Sequence, residues 1–376
     1  MKCVCISCFN YYDTRMESVI KYFKSKGYKV TYIISDFNHF GKKRIERKYR
    51  GSIKIHVPGY KNNLSVHRLM SHFIFAKNVG KIINKIEPDI IYSMLPPNLL
   101  TKECALYKMN HKVKLIFDCY DTWPESFPDK WYKKYLKFPF ARWAKYRDDY
   151  IETADLLLCV SKEEKQFFLE KCENLSIEVL KPVLKPLELP NYKFDVDDML
   201  TFCYLGNINY ITDIKLALEI LGKIAKVRGV CLHIIGQGQN LGKLVSMLEN
   251  VGVIVVCHGV IFDDEEKIKI ISECDFGLNI PNESIKSTMS LKSVEYMRLS
   301  LPMINSGRGE NHEMVIKAKV GFNVDRNDVD QLVQDILNVD TPLLNEMSKN
   351  CKYWYEEHFL NQDLDEILGA VVNGSE

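Results

Sequence analysis

The sequence predicts an α/β protein with two parallel-sheet domains facing each other across a cleft, and three observations carry that prediction. Short apolar runs of strand length alternate with helix-like stretches from residue 2 to residue 160. A second alternating series begins at Leu200. Between them lies Lys181-Pro-Val-Leu-Lys-Pro-Leu-Glu-Leu-Pro-Asn-Tyr192, whose three prolines disfavour a continuing helix or a central strand. Apolar strands separated by helices imply a parallel sheet covered on both faces. A chain of 376 residues is long for one core and comfortable for two. The expected division is 1–182, a linker over 183–199, 200–352, and a tail over 353–376 that packs back on the first domain.

In the first series, strands are expected over 2–8, 29–35, 53–57, 89–94, 115–120 and 156–160, with helices over 16–25, 66–86 and 134–153. In the second, the expected strands are 200–205, 230–235, 253–257, 276–280 and 302–305, again with helices between. The tail from Tyr353-Trp-Tyr-Glu-Glu-His-Phe359 onward reads as helix.

Composition narrows the function classes. Lys and Arg number 51 against 49 Asp and Glu, so net charge gives no reason to expect a nucleic-acid partner. No apolar run reaches bilayer-spanning length, and Met1-Lys-Cys-Val-Cys-Ile-Ser-Cys8 turns polar too soon for a signal peptide. The expected location is the cytoplasm. Most of the twelve cysteines, including Cys3, Cys5, Cys159, Cys203, Cys231 and Cys257, fall inside apolar runs and are expected in the core. Neither they nor the nine histidines show metal-ligand spacing, so no metal is expected.

The most informative stretch runs from Ser287 to Pro302. Ser290 is a plausible N-cap, which leaves the backbone N–H groups of Leu291 and Lys292 pointing at whatever precedes the helix, where its dipole favours an anion. Lys292 adds a full charge there. Glu295, at i+3, shares its face and is placed to accept both hydroxyls of a ribose. The competing reading is an exposed Lys292–Glu295 ion pair on an ordinary amphipathic helix. Strand-like runs on either side weigh toward a ligand site, because ligands bind above the carboxyl ends of parallel strands.

Three glycine-bearing turns follow three successive strands: Tyr204-Leu-Gly-Asn207, Ile234-Ile-Gly-Gln-Gly238 and Cys257-His-Gly-Val260. In a parallel sheet they lie at one edge, together with the Ser290 helix start. Gly206 permits close backbone approach, and Asn207 can bond a phosphate or sugar. Each turn would need a glycine in any case; their repetition is what points to a ligand.

The order Tyr-Leu-Gly-Asn, His-Ile-Ile-Gly-Gln-Gly, His-Gly-Val, Cys-Asp-Phe-Gly-Leu and Ser-Leu-Lys-Ser-Val-Glu-Tyr-Met, from about Leu200 to Val324, resembles the donor-binding domain of GT-B glycosyltransferases. The match is to the large retaining family-4 type found in bacterial surface and capsular polysaccharide synthesis. The resemblance implies two Rossmann-like domains, with a nucleotide-diphosphate sugar as co-substrate and no metal or other cofactor. It places Glu295 on the ribose, Lys292, Ser290 and Leu291 on the diphosphate, Val260 against the base, and Gly206, Asn207 and Gly236 along the donor. Two departures stand out. Ser287 occupies the place of a second glutamate, with Glu283 as a possible substitute, and the usual Arg and Lys after the first turn are missing, with Lys215 nearest.

In the first half, Phe117-Asp-Cys-Tyr-Asp-Thr-Trp-Pro-Glu-Ser126 looks like the segment that in relatives reaches the donor sugar. Asp121 is the expected catalytic partner of Lys292 and Asp118 the runner-up; a turn aspartate is the alternative. Arg15, in Asn10-Tyr-Tyr-Asp-Thr-Arg15, is a candidate for the acceptor or phosphate or else an exposed salt-bridging arginine, and His67 is a second acceptor candidate. The run 130–147 interleaves Lys and Arg with aromatics, as suits an anionic membrane surface or a lipid-pyrophosphate acceptor; a helix with its aromatics turned inward fits equally. The reading is a glycosyltransferase acting on a lipid-linked or free oligosaccharide, cytoplasmic or peripheral on the membrane. A nucleotide-sugar epimerase of the same fold and a non-catalytic transferase subunit are the alternatives.

Overall fold

The computed structural model describes residues 1–9, 13–39, 41–45, 51–62, 65–126, 135–189, 198–283, 285 and 289–373, with Asp13 by its backbone alone. Ser287, the start of the 10–15 segment and residues 130–134 of the basic run fall outside them. The chain divides into two compact units, Met1–Val183 with Asp363–Glu376, and Leu184–Gln362.

In the first unit, β1 (Lys2–Ser7), β2 (Lys29–Ser35), β5 (Ser52–Ile55), β6 (Ile90–Leu95), β7 (Lys114–Cys119), β8 (Leu156–Cys159) and β9 (Ile177–Val179) form one sheet in the order β5-β2-β1-β6-β7-β8-β9. Every neighbouring pair is parallel. A two-residue hairpin, β3 (Phe37–Asn38) with β4 (Lys43–Arg44), hangs beyond β2. Helices α1 (Asp13–Ser25), α2 (Val66–Ile86), α3 (Leu99–Asn110), α4 (Lys137–Asp148) and α5 (Lys162–Leu169) make the connections. Helix α2 starts where a cap tells it to: Ser65 Oγ accepts from the Arg68 amide. Strands buried on both faces need continuous apolar sequence, and Cys3, Val4, Cys5 and Ile6 are all fully buried.

The second unit repeats the plan. β10 (Met199–Asn207), β11 (Gly229–Gln237), β12 (Ile254–Gly259), β13 (Phe276–Asn279), β14 (Met303–Asn305) and β15 (Gly321–Asn323) form a parallel sheet in the order β12-β11-β10-β13-β14-β15. Between and after them come α6 (Ile214–Ala225), α7 (Leu241–Glu249), α8 (Asp264–Ile271), α9 (Leu291–Arg298), α10 (Glu310–Ala318), α11 (Val329–Leu337) and α12 (Thr341–Tyr355). Phe202 and Phe276 stack across β10 and β13 with centroids 6.0 Å apart in the core. Truncating either to alanine should cost about 3–5 kcal/mol.

Three expectations are corrected. Cys257 is exposed, because β12 is an edge strand on which every residue is exposed or half-buried. The return to the first unit begins at Asp363, not Tyr353: Phe359 is buried in the second unit's core and Tyr355 Oη bonds the Leu184 carbonyl. From Asp363 the chain forms α13 (Leu364–Val372), which buries Leu368, Val371 and Val372 in the first unit's core, while Asp365 meets Lys26 at 2.6 Å. The helix expected over 134–153 is described as α4 followed by a 3₁₀ turn, Ile151–Thr153.

Candidate functional site

In both sheets the strand order reverses once, between β1 and β6 and between β10 and β13, and in open α/β sheets ligands bind at that switch point outside the carboxyl ends of the strands. In the second unit, β10 ends at Gly206 and Asn207, and the chain after β13 leads to α9. The β10–β13 ladder is short, pairing Phe202 with Phe276 and Cys203 with Gly277. Beyond it the Tyr296 hydroxyl stands between the strands, accepting from the Leu205 amide at 3.1 Å and donating toward the carbonyls of Leu278 (3.1 Å) and Cys203 (3.2 Å). The ring lies so close to Gly277 that a Cβ there would sit 2.6 Å from it. One tyrosine thus fixes α9 over the opening.

Ser290 is the N-cap of α9, its Oγ accepting from the Lys292 amide at 3.2 Å and donating to Asn279 Oδ1 at 3.1 Å. Asn279, Asn305 and Asn323 end three adjacent strands in register and are bonded in series, Asn279 Nδ2 to Asn305 Oδ1 and Asn305 Nδ2 to Asn323 Oδ1. A buried asparagine ladder therefore holds the helix start. The Lys292 amide, expected to be open to a ligand, is occupied by the cap. The Leu291 amide remains as a first-turn donor, on a residue 46% exposed.

The Lys292 side chain turns back over the end of β10. Its ammonium donates to Tyr204 Oη at 2.5 Å and lies 4.1 Å from that ring's centroid. Tyr204 Oη in turn meets Thr212 Oγ1 at 2.7 Å. Gly206, at φ +105°, leaves room beside the chain, since a Cβ there would lie 3.4 Å from Lys292 Cε. No carboxylate contacts Lys292 among the described residues. Burial without a counter-charge pushes its pKa down to about 8.

Glu295 does not pair with Lys292. Its Oε1 accepts from Lys267 (2.9 Å) and Arg298 Nη2 (2.6 Å), and its Oε2 from Arg298 Nε (2.8 Å). Asp264 closes the network against Arg298 and Lys267 at 2.9 and 3.0 Å. Burial works against the Asp264 charge, but these two cations hold its pKa below the usual carboxylate range. A carboxylate offers about four acceptor positions. Three are filled at Glu295, which leaves one on Oε2 for a ribose hydroxyl rather than the two expected.

The remaining donor candidates surround this centre. Asn207 and Val260 are exposed at the ends of β10 and β12. Gly236 has a packing reason to be glycine, since a Cβ would stand 1.9 Å from the Gly206 carbonyl oxygen. Lys215 is exposed on α6, and Glu283 pairs with Arg308 (3.6 Å) and Arg326 (3.3 Å). Arg326, which also meets Asp213 at 2.5 Å, had no motif to announce it.

In the first unit, Arg15, expected at the acceptor or a phosphate or else exposed, and Asp118, the runner-up to Asp121, are instead buried against each other. Arg15 is 2% exposed and Asp118 fully buried; Arg15 Nε and Nη2 bond the Asp118 carboxylate at 2.7 and 2.6 Å, and Nη1 reaches the carbonyls of Leu180 and Lys181. Tyr92 Oη donates to the same carboxylate. Burial works against the guanidinium charge, but Asp118 outweighs it and raises the pKa. The pair latches α1 to β7 and the segment leaving β9.

Asp121 is half-buried, with Oδ2 accepting from Trp123 Nε1 and Oδ1 from Ser126 Oγ, each at 2.5 Å. Burial raises its pKa against the pull of Ser126, Trp123 and Arg68. It thus fills a turn role while keeping spare acceptor positions. His67 is exposed in the first turn of α2, and its neighbour Arg68 is the one that turns inward, its guanidinium 4.1 Å from the Trp123 ring centroid.

Comparison with known proteins agrees with this fold. Residues 200–340 match the family described as Glycosyl transferases group 1, and residues 13–180 match Glycosyltransferase Family 4. No curated protein matches. Among solved structures, the chain resembles WaaG, a glycosyltransferase involved in lipopolysaccharide biosynthesis, at 13% identity and a TM-score of 0.66, covering 99% of each chain. Anabaena Alr3699/HepE in complex with UDP-glucose is similar at 12% identity and 0.66, with 100% and 99% covered. S. aureus TarM, in a complex containing UDP, gives 14% and 0.60; the likeness covers 80% of this chain and spans 59% of TarM.

Proposed function

The chain is a glycosyltransferase of the GT-B fold, and from that premise we propose that its second unit binds a nucleotide-diphosphate sugar whose sugar is passed to a lipid-linked oligosaccharide acceptor, in the surface-polysaccharide setting of its relatives. The observation that carries this reading is Lys292, a cation at a helix N-terminus and a topological switch point that, among the described residues, meets a phenol and no carboxylate. A cation withdrawn from water without a carboxylate is a site for a mobile anion. HepE and TarM structures contain UDP or UDP-glucose, which supports the same assignment.

In this reading the diphosphate lies over α9, with Lys292 and the Leu291 amide on its oxygens and Glu295 Oε2 on the ribose. The bond between the sugar's C1 and the diphosphate oxygen breaks, and an acceptor oxygen bonds to C1. In a retaining course the acceptor attacks from the face the diphosphate leaves, and its proton passes to a leaving-group oxygen. Lys292 stabilises the charge that develops there, so no metal is invoked. Asp121 binds a sugar hydroxyl or orients the acceptor. The exposed basic and aromatic residues of α4 would rest on an anionic membrane surface.

A thermal-shift panel of UDP, GDP, dTDP and CMP, each with and without common sugars, tests the donor site. One nucleotide diphosphate should raise the melting temperature of the wild type and do so less in Glu295→Ala. No response to any of them contradicts the reading.

A further inference from the structure

Helices α2 and α4 of the first unit flank an apolar groove of about 420 Å³. Leu69, Met70 and Phe73 line it from α2, Leu99 from α3, and Pro139 and Trp143 from α4. The three α2 residues are 47, 51 and 54% exposed, on a helix face where solvent calls for polar side chains. His72, also in the lining, is 4% exposed, and neither ring nitrogen has a hydrogen-bond partner among the described residues. Burial, with Arg68 nearby, holds its pKa well below the ordinary value, so the floor is uncharged.

Cations outnumber acids along the groove's walls: residues 61–86 contain five Lys or Arg and no Asp or Glu, although Lys77 is paired with Glu103 on α3, and Lys145 and Arg147 of α4 with Asp149 and Glu125. Lys137 and Arg142 are exposed, and neither has an acidic partner among the described residues. A second copy docking here by twofold symmetry would set these cations against themselves. A single hydrocarbon chain under an anionic head fits both the volume and the charge.

We propose that this groove holds the hydrocarbon chain of the lipid that carries the sugar acceptor, with Lys137 and Arg142 at the lipid's phosphate. The proposal rests on the lipid-linked acceptor reading above and adds to it a defined site for the chain.

The test uses the full chain and an alkyl phosphate with a brominated tail, kept below its micelle concentration, with tryptophan emission as the readout. Saturable quenching is expected, reduced in Trp143→Phe to what Trp123, 6.0 Å away, contributes, and about tenfold weaker in Phe73→Asp and Leu69→Glu. Inorganic phosphate should compete poorly. Quenching that is undiminished in both Phe73→Asp and Leu69→Glu puts the chain elsewhere and overturns the proposal. So does full competition by inorganic phosphate, which would mean a headgroup site only. A Phe73→Asp protein that changes oligomeric state but is quenched as before would show a surface between copies instead. Both exposed-residue variants should keep the nucleotide-induced thermal shift; loss of that shift in the wild type defeats the donor reading and leaves the quenching result standing on its own.

Discussion

The two units place a cation near the switch point of the same kind of sheet and treat it in opposite ways. Arg15 is fully buried and matched by Asp118 and two carbonyls, so its charge is spent within the fold. Lys292 is half-buried and touches a phenol, so its charge remains to be matched. The difference teaches that position in the topology does not make an anion site. What makes one is a charge the protein has not neutralised.

The strongest way to break this comparison is to remove the partner in the first unit. Asp118→Ala leaves Arg15 buried and uncompensated, and should destabilise that unit by about 3–5 kcal/mol in urea unfolding. A loss under about 1 kcal/mol would mean the latch behaves as a surface pair. Next comes Lys292→Met. Losing one charge-assisted contact, worth about 1.5–3 kcal/mol, should weaken nucleotide-diphosphate affinity about ten- to a hundredfold, measured by titration calorimetry. The same variant should melt no lower than the wild type, since it removes a desolvated charge with no counter-ion.

The pH dependence sharpens the contrast. Lys292 has a folded pKa lowered by burial to about 8 from the ordinary lysine value of 10.5. Between those values the unfolded chain binds the extra proton, so this group's contribution makes stability rise with pH across that window. Its stability penalty is complete below about pH 8. Nucleotide affinity should run the other way, falling above about pH 8 as the free amine loses its proton, and Lys292→Met should flatten that part of the profile. A smaller effect is expected from Glu295→Gln, which keeps the shape but weakens the bonds from Arg298 and Lys267; affinity should fall several-fold, by about 1 kcal/mol. The smallest is Ser290→Ala, which removes the α9 cap and should cost about 1 kcal/mol of stability.

Much of the fold was legible because parallel strands buried on both faces write themselves as unbroken apolar runs, as in Val4 to Ile6 and Phe202 to Leu205. The three-residue strands β9 and β15 were too short to announce themselves, and α3 was hidden because it buries Leu99, Leu100, Thr101, Cys104, Ala105 and Tyr107 with little amphipathic contrast. At the site, Ser290 as cap followed from local spacing, and the nearness of the Lys292 helix start to the Gly206 turn followed from a parallel sheet placing both at one edge. The contacts that spacing could not reveal are long-range. Arg15 and Asp118 are 103 residues apart, Lys292 and Tyr204 are 88, and Glu295 is held by Lys267 across 28. Arg68 was passed over for His67 because a helix phase, not a motif, decides which of two neighbours turns inward.

The most direct test of the central claim is proton uptake on nucleotide binding, read by calorimetry above pH 8 in buffers of different ionisation enthalpy. If Lys292 receives the diphosphate, the wild type takes up a proton fraction that Lys292→Met does not, because the bound anion restores the charge that burial suppresses. Equal uptake and equal affinity in the two proteins would contradict the account and place the diphosphate elsewhere.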